Sequence, residues 1–297
     1  MKSAVFVLII VLGYTLKKIK FFKTSDFSLI SKIVLNITLP CAVISNFSKL
    51  SIETSFIVLV IIGVICNLVM IGVGYLVSLK RNRDEKAFNM INFSGYSIGS
   101  FTMPFVQSFL GPVGIVATCL FDAGNAFLCT GGTYSLASAV IKDEEKMDLK
   151  AFFRKTFSSV PLNAYLIMLL ISILGIRLPN VLIMFTDTVG SSNGFLAMLM
   201  IGIGFELELE SGQITDISKF LILRYGIAAI FAMLFYFVLP LDIEIRKALV
   251  IIAFAPVSAV CTIFTEKCGG DVTLSSTINS ISILIGIFST TIIMLII

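Results

Sequence analysis

The sequence predicts an all-α integral membrane protein with ten transmembrane helices, organised as two inverted five-helix repeats in which helices 4 and 9 are broken. Three observations carry that expectation. The chain is 57% apolar and only 13% charged over 297 residues, against about 25% charged in a soluble domain. Apolar stretches recur along its whole length, with short polar turns between them. An order of features in the first half returns in the second.

The composition acts through the solvent. A mean hydropathy of +1.03 would leave a soluble protein of this size with a largely apolar surface, which invites aggregation. At roughly 20 residues per span, ten helices use about 200 residues. The remainder is short loops, without room for a soluble catalytic domain. A disordered tail, a secreted disulfide scaffold and a nucleic-acid binder are all disfavoured. The partner implied by composition is the lipid bilayer.

The first apolar stretch, 3–16, follows Lys2 as a signal peptide would. Gly13–Lys18 offers no small-residue cleavage site, so it reads as a retained helix. The others are 27–48, 55–79, 87–110, 113–141, 157–176, 180–205, 217–239, 246–265 and 272–297, assigned by length and hydropathy. Residues 1–141 make the first repeat, 142–156 a cytoplasmic linker and 157–297 the second repeat. Placing the loop after the first helix in the cytoplasm puts sixteen Lys and Arg on that side, Arg224 among them, against five outside. That positive-inside bias sets both termini outside, in a multi-pass protein of the plasma membrane. The loop 206–219 is acidic, and acidic residues weigh little in this rule.

The repeat is read from four features in the same order. Glu85-Lys86-Ala87-Phe88 opens helix 4, and Arg246-Lys247-Ala248-Leu249 opens helix 9. Pro104 and Pro256 lie well inside them. Gly111-Pro112 and Gly269-Gly270 follow, and each half ends in a helix flecked with polar residues. Five spans is an odd number, so the second copy must be inverted. Inverted repeats with broken helices mark secondary transporters.

A proline removes one N–H and frees a carbonyl four residues back, and in lipid such groups must face protein or a water-lined cavity. The stretch before Pro104 carries Ser97, Ser100 and Thr102, with Gly99 between them and Gly95 just before. Around Pro256 lie Ser258 and Thr262. A half-helix starting after each proline would point a partly positive end at the membrane middle, and two such ends would attract an anion. Helix 2 carries Asn36, Thr38 and Pro40, and helix 7 offers Asn193 within Gly190–Gly194. These side chains either bind substrate or tie helices together.

Asp122 is the sharpest single residue. It lies near the centre of helix 5, where an ionised carboxylate facing lipid costs about 3 kcal/mol, so it is expected to face the interior. Asn125 follows on nearly the same face. Together they are the candidate ion-coupling pair. Asp187 in helix 7 is shallower. Lys32, Glu266 and Lys267 lie near helix ends, where long side chains snorkel.

Other patterns lead elsewhere. Gly95-Tyr96-Ser97-Ile98-Gly99 matches the G-x-S-x-G elbow, which needs a strand-turn-helix setting and a base. The chain has no His and the setting is a membrane helix, so a hydrolase is not supported. Small-residue helix packing fits those positions better. The six cysteines form no C-x-x-C pair and indicate neither a zinc site nor a disulfide framework. No P-loop is present. No cofactor and no metal are expected.

The residues also carry a resemblance. Asn36-Ile37-Thr38-Leu39-Pro40 resembles the N-x-x-L-P element of the auxin efflux carrier family, which includes plant auxin carriers and bacterial malate-permease-like transporters. Gly99–Gly114, with Pro104 and Gly111, is similar to its helix 4 and the turn after it. Asp122 and Asn125 match its polar helix 5. Ala255-Pro256-Val257-Ser258-Ala259, then Gly269-Gly270-Asp271 and residues 275–282, resemble its last pair of helices. The short central loop resembles bacterial members. The resemblance implies a two-domain, ten-helix fold shared with bile-acid symporters and sodium/proton antiporters. It implies that helices 4 and 9 cross at their prolines beside a small organic anion, commonly a carboxylate. One departure is that no polar residue immediately precedes Pro256, where helix 4 offers Ser100 and Thr102.

The functional expectation is a secondary active permease for small organic anions, carboxylates such as malate, working by alternating access. It is not expected to be an enzyme. A sodium-coupled, bile-acid-symporter-like carrier and a non-transporting sensor or scaffold are the alternatives. Proton coupling, sodium coupling and uniport stay open, as do import or export and a monomer or a homodimer.

Overall fold

The computed structural model describes residues 2–23, 25–50, 56–141, 149–205 and 214–296. The acidic run Glu206–Glu210 and the linker segment 142–148 lie outside the described residues. All the regular elements described are helices. They are α1 (Lys2–Lys18), α2 (Asp26–Phe47), α3 (Ile57–Val77), α4 (Arg83–Phe93), α5 (Met103–Phe109), α6 (Pro112–Phe127), α7 (Thr133–Ile141), α8 (Leu149–Thr156), α9 (Val160–Ile173), α10 (Asn180–Ser191), α11 (Asn193–Gly204), α12 (Ile214–Phe237), α13 (Ile243–Ala253), α14 (Val260–Lys267) and α15 (Val272–Ile296).

Local chemistry sets the boundaries. Asn82 accepts from the Glu85 N–H at 2.8 Å and its amide reaches the Glu85 carboxylate, a reciprocal cap that starts α4. Asp242 and Asp271 cap α13 and α15 through the N–H groups of Glu244 and Leu274. Pro112 opens α6 directly after Gly111, where a missing N–H costs nothing. Among the described residues, four helices, α2, α3, α12 and α15, are long and apolar enough to cross a membrane. Large apolar side chains cover the outside, among them Val181 at 80% and Ile222 at 74% exposure. A bilayer is the solvent that suits them.

Packing divides the helices into two layers. α1 and α2 pack on α10 and α11, and α9 joins α2. α3 packs on α4 and α6, and α13 packs on both α6 and α12. Glycines allow the closest approaches. A Cβ on Gly124 in α6 would lie 2.1 Å from the Val60 carbonyl oxygen of α3, and one on Gly202 in α11 would lie 2.1 Å from that of Ile10 in α1. Only backbone fits there.

Two prolines are absorbed rather than used as breaks. Pro40 and Pro104 each follow one π-helical turn, Val34–Thr38 and Ile98–Thr102. In these turns the ladder shifts to longer bonds, Leu39 N–H to Val34 O and Met103 N–H to Ile98 O. The π-turn takes up the lost proline donor and the helix continues. Sequence reasoning expected the break of helix 4 at Pro104. The structure places it at Ser94–Ser97, between α4 and the π-turn that leads into α5. Gly95 there has φ +73°, a left-handed conformation that glycine adopts without strain. The expected break at Pro256 is observed, between α13 and α14.

Candidate functional site

The two breaks meet. Ser97 N–H donates to the Pro256 carbonyl at 3.0 Å, and Ser258 N–H donates to the Gly95 carbonyl at 3.3 Å. Tyr96 and Val257 face each other as an antiparallel pair. The two interrupted helices therefore touch through their extended segments. The residue beside Pro256 is Ser97, not Pro104, so the two prolines are not counterparts in space.

Side chains from neighbouring helices satisfy what the breaks leave open, as buried backbone groups require. Asn125 of α6 accepts from the Tyr96 N–H at 3.1 Å and donates to the Tyr96 carbonyl at 3.0 Å. On α15, Ser282 accepts from the Val257 N–H at 3.0 Å and Asn279 donates to its carbonyl at 2.6 Å. Each facing residue is thus clamped by side chains from the helix next after its interrupted pair, Tyr96 from α6 after α4 and α5, and Val257 from α15 after α13 and α14. Asn67 of α3 accepts from the Gly95 N–H and donates to Asn125. Arg224 of α12 donates to the carbonyls of Phe93, Gly95 and Asn92.

Beside the crossing lies a cavity of about 490 Å³. Asn36, Ser97, Ser100, Asp122, Asn125 and Ser258 line it together with Lys32, Leu39, Tyr165 and Met200. Six sequence-selected residues from α2, the two breaks, the π-turn before α5 and α6 are thereby brought to one space. Asp122 is 8% exposed. One carboxylate oxygen accepts from Asn125 at 2.9 Å, the other from the Tyr165 hydroxyl of α9 at 2.9 Å. Ser97 and Ser100 hydroxyls are 3.0 Å apart. The cavity can offer hydroxyls, amides and one carboxylate to a small polar solute, and apolar walls to its carbon skeleton.

The remaining candidates lie elsewhere. Thr38 donates to Asn193 at 2.8 Å, and Asn193 donates to Gln107 at 3.1 Å. All three are away from the cavity, so Thr38 and Asn193 tie α2 to α11. Thr102 donates to the Ser97 carbonyl. Thr262 accepts from Ser275 at 3.3 Å. Pro40 and Pro104 are buried and lie outside the cavity lining. Asp187 pairs with Lys49 at 2.9 Å and accepts from Ser45 in a separate, smaller pocket.

Arg224 is a correction. The charge count put it in a cytoplasmic cluster, yet it is 2% exposed and reaches the crossing. A lone Arg inside an apolar run was a signal available in the sequence, since ionisable residues in spans are functional by default. Asn67, Asn279 and Ser282 were also missed. The first is a single amide in a uniformly apolar helix, and the others lie in the stretch 275–282, which entered through the family resemblance with no role assigned to either residue. The six cysteines are free thiols.

A family model described as a membrane transport protein matches residues 1–294 of the chain. No curated protein matches it.

Proposed function

This chain belongs to the membrane transport protein family that includes auxin efflux carrier-like proteins, and we propose that it is a secondary carrier of small organic anions. Carboxylates such as malate are the substrate class. The observation that carries the reading is the cavity where two broken helices cross, with Asp122 at its wall. Broken helices that meet beside a polar cavity are how such carriers build a binding site.

The same reading takes the chain as ten spans in two inverted repeats. Its support is the order of helices, the matching breaks, and the matching clamps on Tyr96 and Val257. Substrate binds to Asn36, Ser97, Ser100 and Ser258, with Thr38, Thr102, Asn193 and Thr262 supporting the surrounding helices. The cavity also touches Lys32, Ser158 and Ser159, on the side that the positive-inside pattern assigns to the cytoplasm. The state is then inward-facing, in a plasma membrane with both termini outside.

Coupling follows from charge. An anionic substrate and an ionised Asp122 repel each other in a cavity of low dielectric. A proton or cation that neutralises Asp122 admits the anion, and both cross together. Uptake of labelled malate into proteoliposomes, with imposed pH and sodium gradients compared, tests this. Saturable uptake driven by one gradient is expected. No uptake under either gradient would reject malate and send the search to other carboxylates.

A further inference from the structure

Among the described residues, Asp122 and Arg224 are the two charged side chains that are buried. Asp122 lines the cavity and Arg224 does not. The Arg224 guanidinium donates to the Phe93 carbonyl, to that of Gly95 at 3.1 Å and to that of Asn92 at 3.5 Å. It lies 5.4 Å from the centre of the Tyr96 ring. No carboxylate pairs with it among the described ion pairs.

Its acceptors are the carbonyl end of a half-helix. α4 stops at Phe93, so its last carbonyls lack intrahelical partners and carry partial negative charge. In ion-coupled carriers with broken helices, such ends and the unwound carbonyls beside them hold the coupling cation. Here a guanidinium holds that position. Its planar fork of five N–H donors suits several carbonyls at once.

We propose that Arg224 is a resident cation at the crossing, filling the carbonyl end of α4 in place of a metal ion, so that no sodium ion is bound there. The consequence for coupling rests on the carrier reading above. With Asp122 neutralised, the crossing carries one net positive charge and attracts an anion. With Asp122 ionised the two buried charges cancel, and the anion is released. Arg224 is then a positioning residue whose charge sets the sign of the site while its hydrogen bonds hold the break.

The test has one arm that needs no substrate. Wild type, Asp122→Asn, Arg224→Ala, Arg224→Gln and Arg224→Lys are purified in detergent and melted. Each is melted with sodium chloride, methylguanidinium or its neutral analogue N-methylurea, at about 10 mM so that linkage reports weak sites. Arg224→Ala is expected to melt lower than wild type and to recover by several degrees with methylguanidinium alone. Sodium is expected to leave Asp122→Asn unmoved, since that variant lacks the cavity carboxylate that could itself take a cation. Equal effects of methylguanidinium and N-methylurea, or stabilisation of Asp122→Asn by sodium over choline, would overturn the proposal. The second arm measures uptake in proteoliposomes. Arg224→Lys is expected to keep measurable uptake and Arg224→Gln to lose it. Equal uptake by the Lys and Gln variants would also overturn the proposal. If neither neutral variant folds, the sodium comparison on Asp122→Asn decides. Absence of any uptake touches the carrier reading alone, because the melting arm stands without it.

Discussion

Replacing Asp122 by Asn separates coupling from architecture. The carboxylate accepts two hydrogen bonds, from Asn125 and from Tyr165. An amide in its place keeps an oxygen for Asn125. The Tyr165 hydroxyl can donate or accept, so it turns to accept from the new NH₂. Two bonds remain and only their charge assistance is lost, while the cost of a buried charge disappears. The net change in stability is expected within about 1–2 kcal/mol. Driven transport changes far more. For one proton per monoanion, a two-unit pH step is worth about 2.7 kcal/mol, or roughly hundredfold accumulation. Asp122→Asn removes the proton-binding group, so accumulation should fall to onefold while exchange of labelled for unlabelled substrate persists. The assay is driven uptake and counterflow in one proteoliposome preparation, with a melting curve as the fold control. Full accumulation in the variant refutes the reasoning. Loss of exchange together with accumulation, in a folded protein, refutes it too and assigns Asp122 to substrate binding.

Asn125→Ala leaves the Tyr96 N–H and one Asp122 oxygen without a partner, while the Tyr96 carbonyl keeps the Ile98 N–H; at roughly 1–3 kcal/mol per buried orphan it should cost about 2–6 kcal/mol, read as a lowered melting temperature. Gly95→Ala forces a side chain into φ +73°, with its Cβ 3.0 Å from the Cys261 sulfur; a loss of about 1–2 kcal/mol from the backbone alone should accompany loss of uptake. Gly124→Val drives a side chain against the Val60 carbonyl and should prevent α3 and α6 from closing, seen as loss of monodisperse protein in detergent. Ser258→Cys in a cysteine-free background should react with a membrane-impermeant maleimide from the cytoplasmic side in the inward-facing state, and reaction solely from outside would reverse the orientation.

The length of the apolar runs made the helices legible, because a bilayer demands long runs of one character. The proline at 256 was legible as a break for the same reason that Pro104 misled. Both remove a donor, but at Pro104 a π-turn over Ile98–Thr102 absorbs the loss, and that choice depends on neighbours rather than on the proline. The true break rests on Gly95, whose left-handed φ is invisible in a helix already rich in small residues. Asp122 and Asn125 stood out because charge and amide are rare at that depth. Arg224 was obscured by a counting rule that assigns basic residues to loops. Asn279 and Ser282 stood within the stretch 275–282 that carries the family resemblance, but their role had no local signal, because their partners are backbone groups on a break formed by residues more than twenty positions away.

The strength of the crossing and the mobility of its surroundings have one physical basis. Within the layer that holds the breaks, backbone groups bond to backbone, Asn125, Asn67, Ser282, Asn279 and Arg224. Pulling one strand from that set exposes several buried polar groups at once, each costing about 1–3 kcal/mol, so the crossing moves as a unit. The side-chain bonds that span to the other layer among the described residues include Asp122 to Tyr165 beside the cavity and Asn193 to Gln107 away from it. Breaking either strands fewer groups, and a substrate or water entering the gap can replace the lost partner. On the alternating-access reading, the two bonds are therefore exchanged as one layer rocks on the other. Tyr165→Phe then frees the cavity side and Gln107→Leu the opposite side. The two changes should shift the inward–outward balance in opposite directions, which maleimide reaction at Ser258→Cys in each background would measure. A shift in the same direction, or none, would place the hinge elsewhere than at this interface.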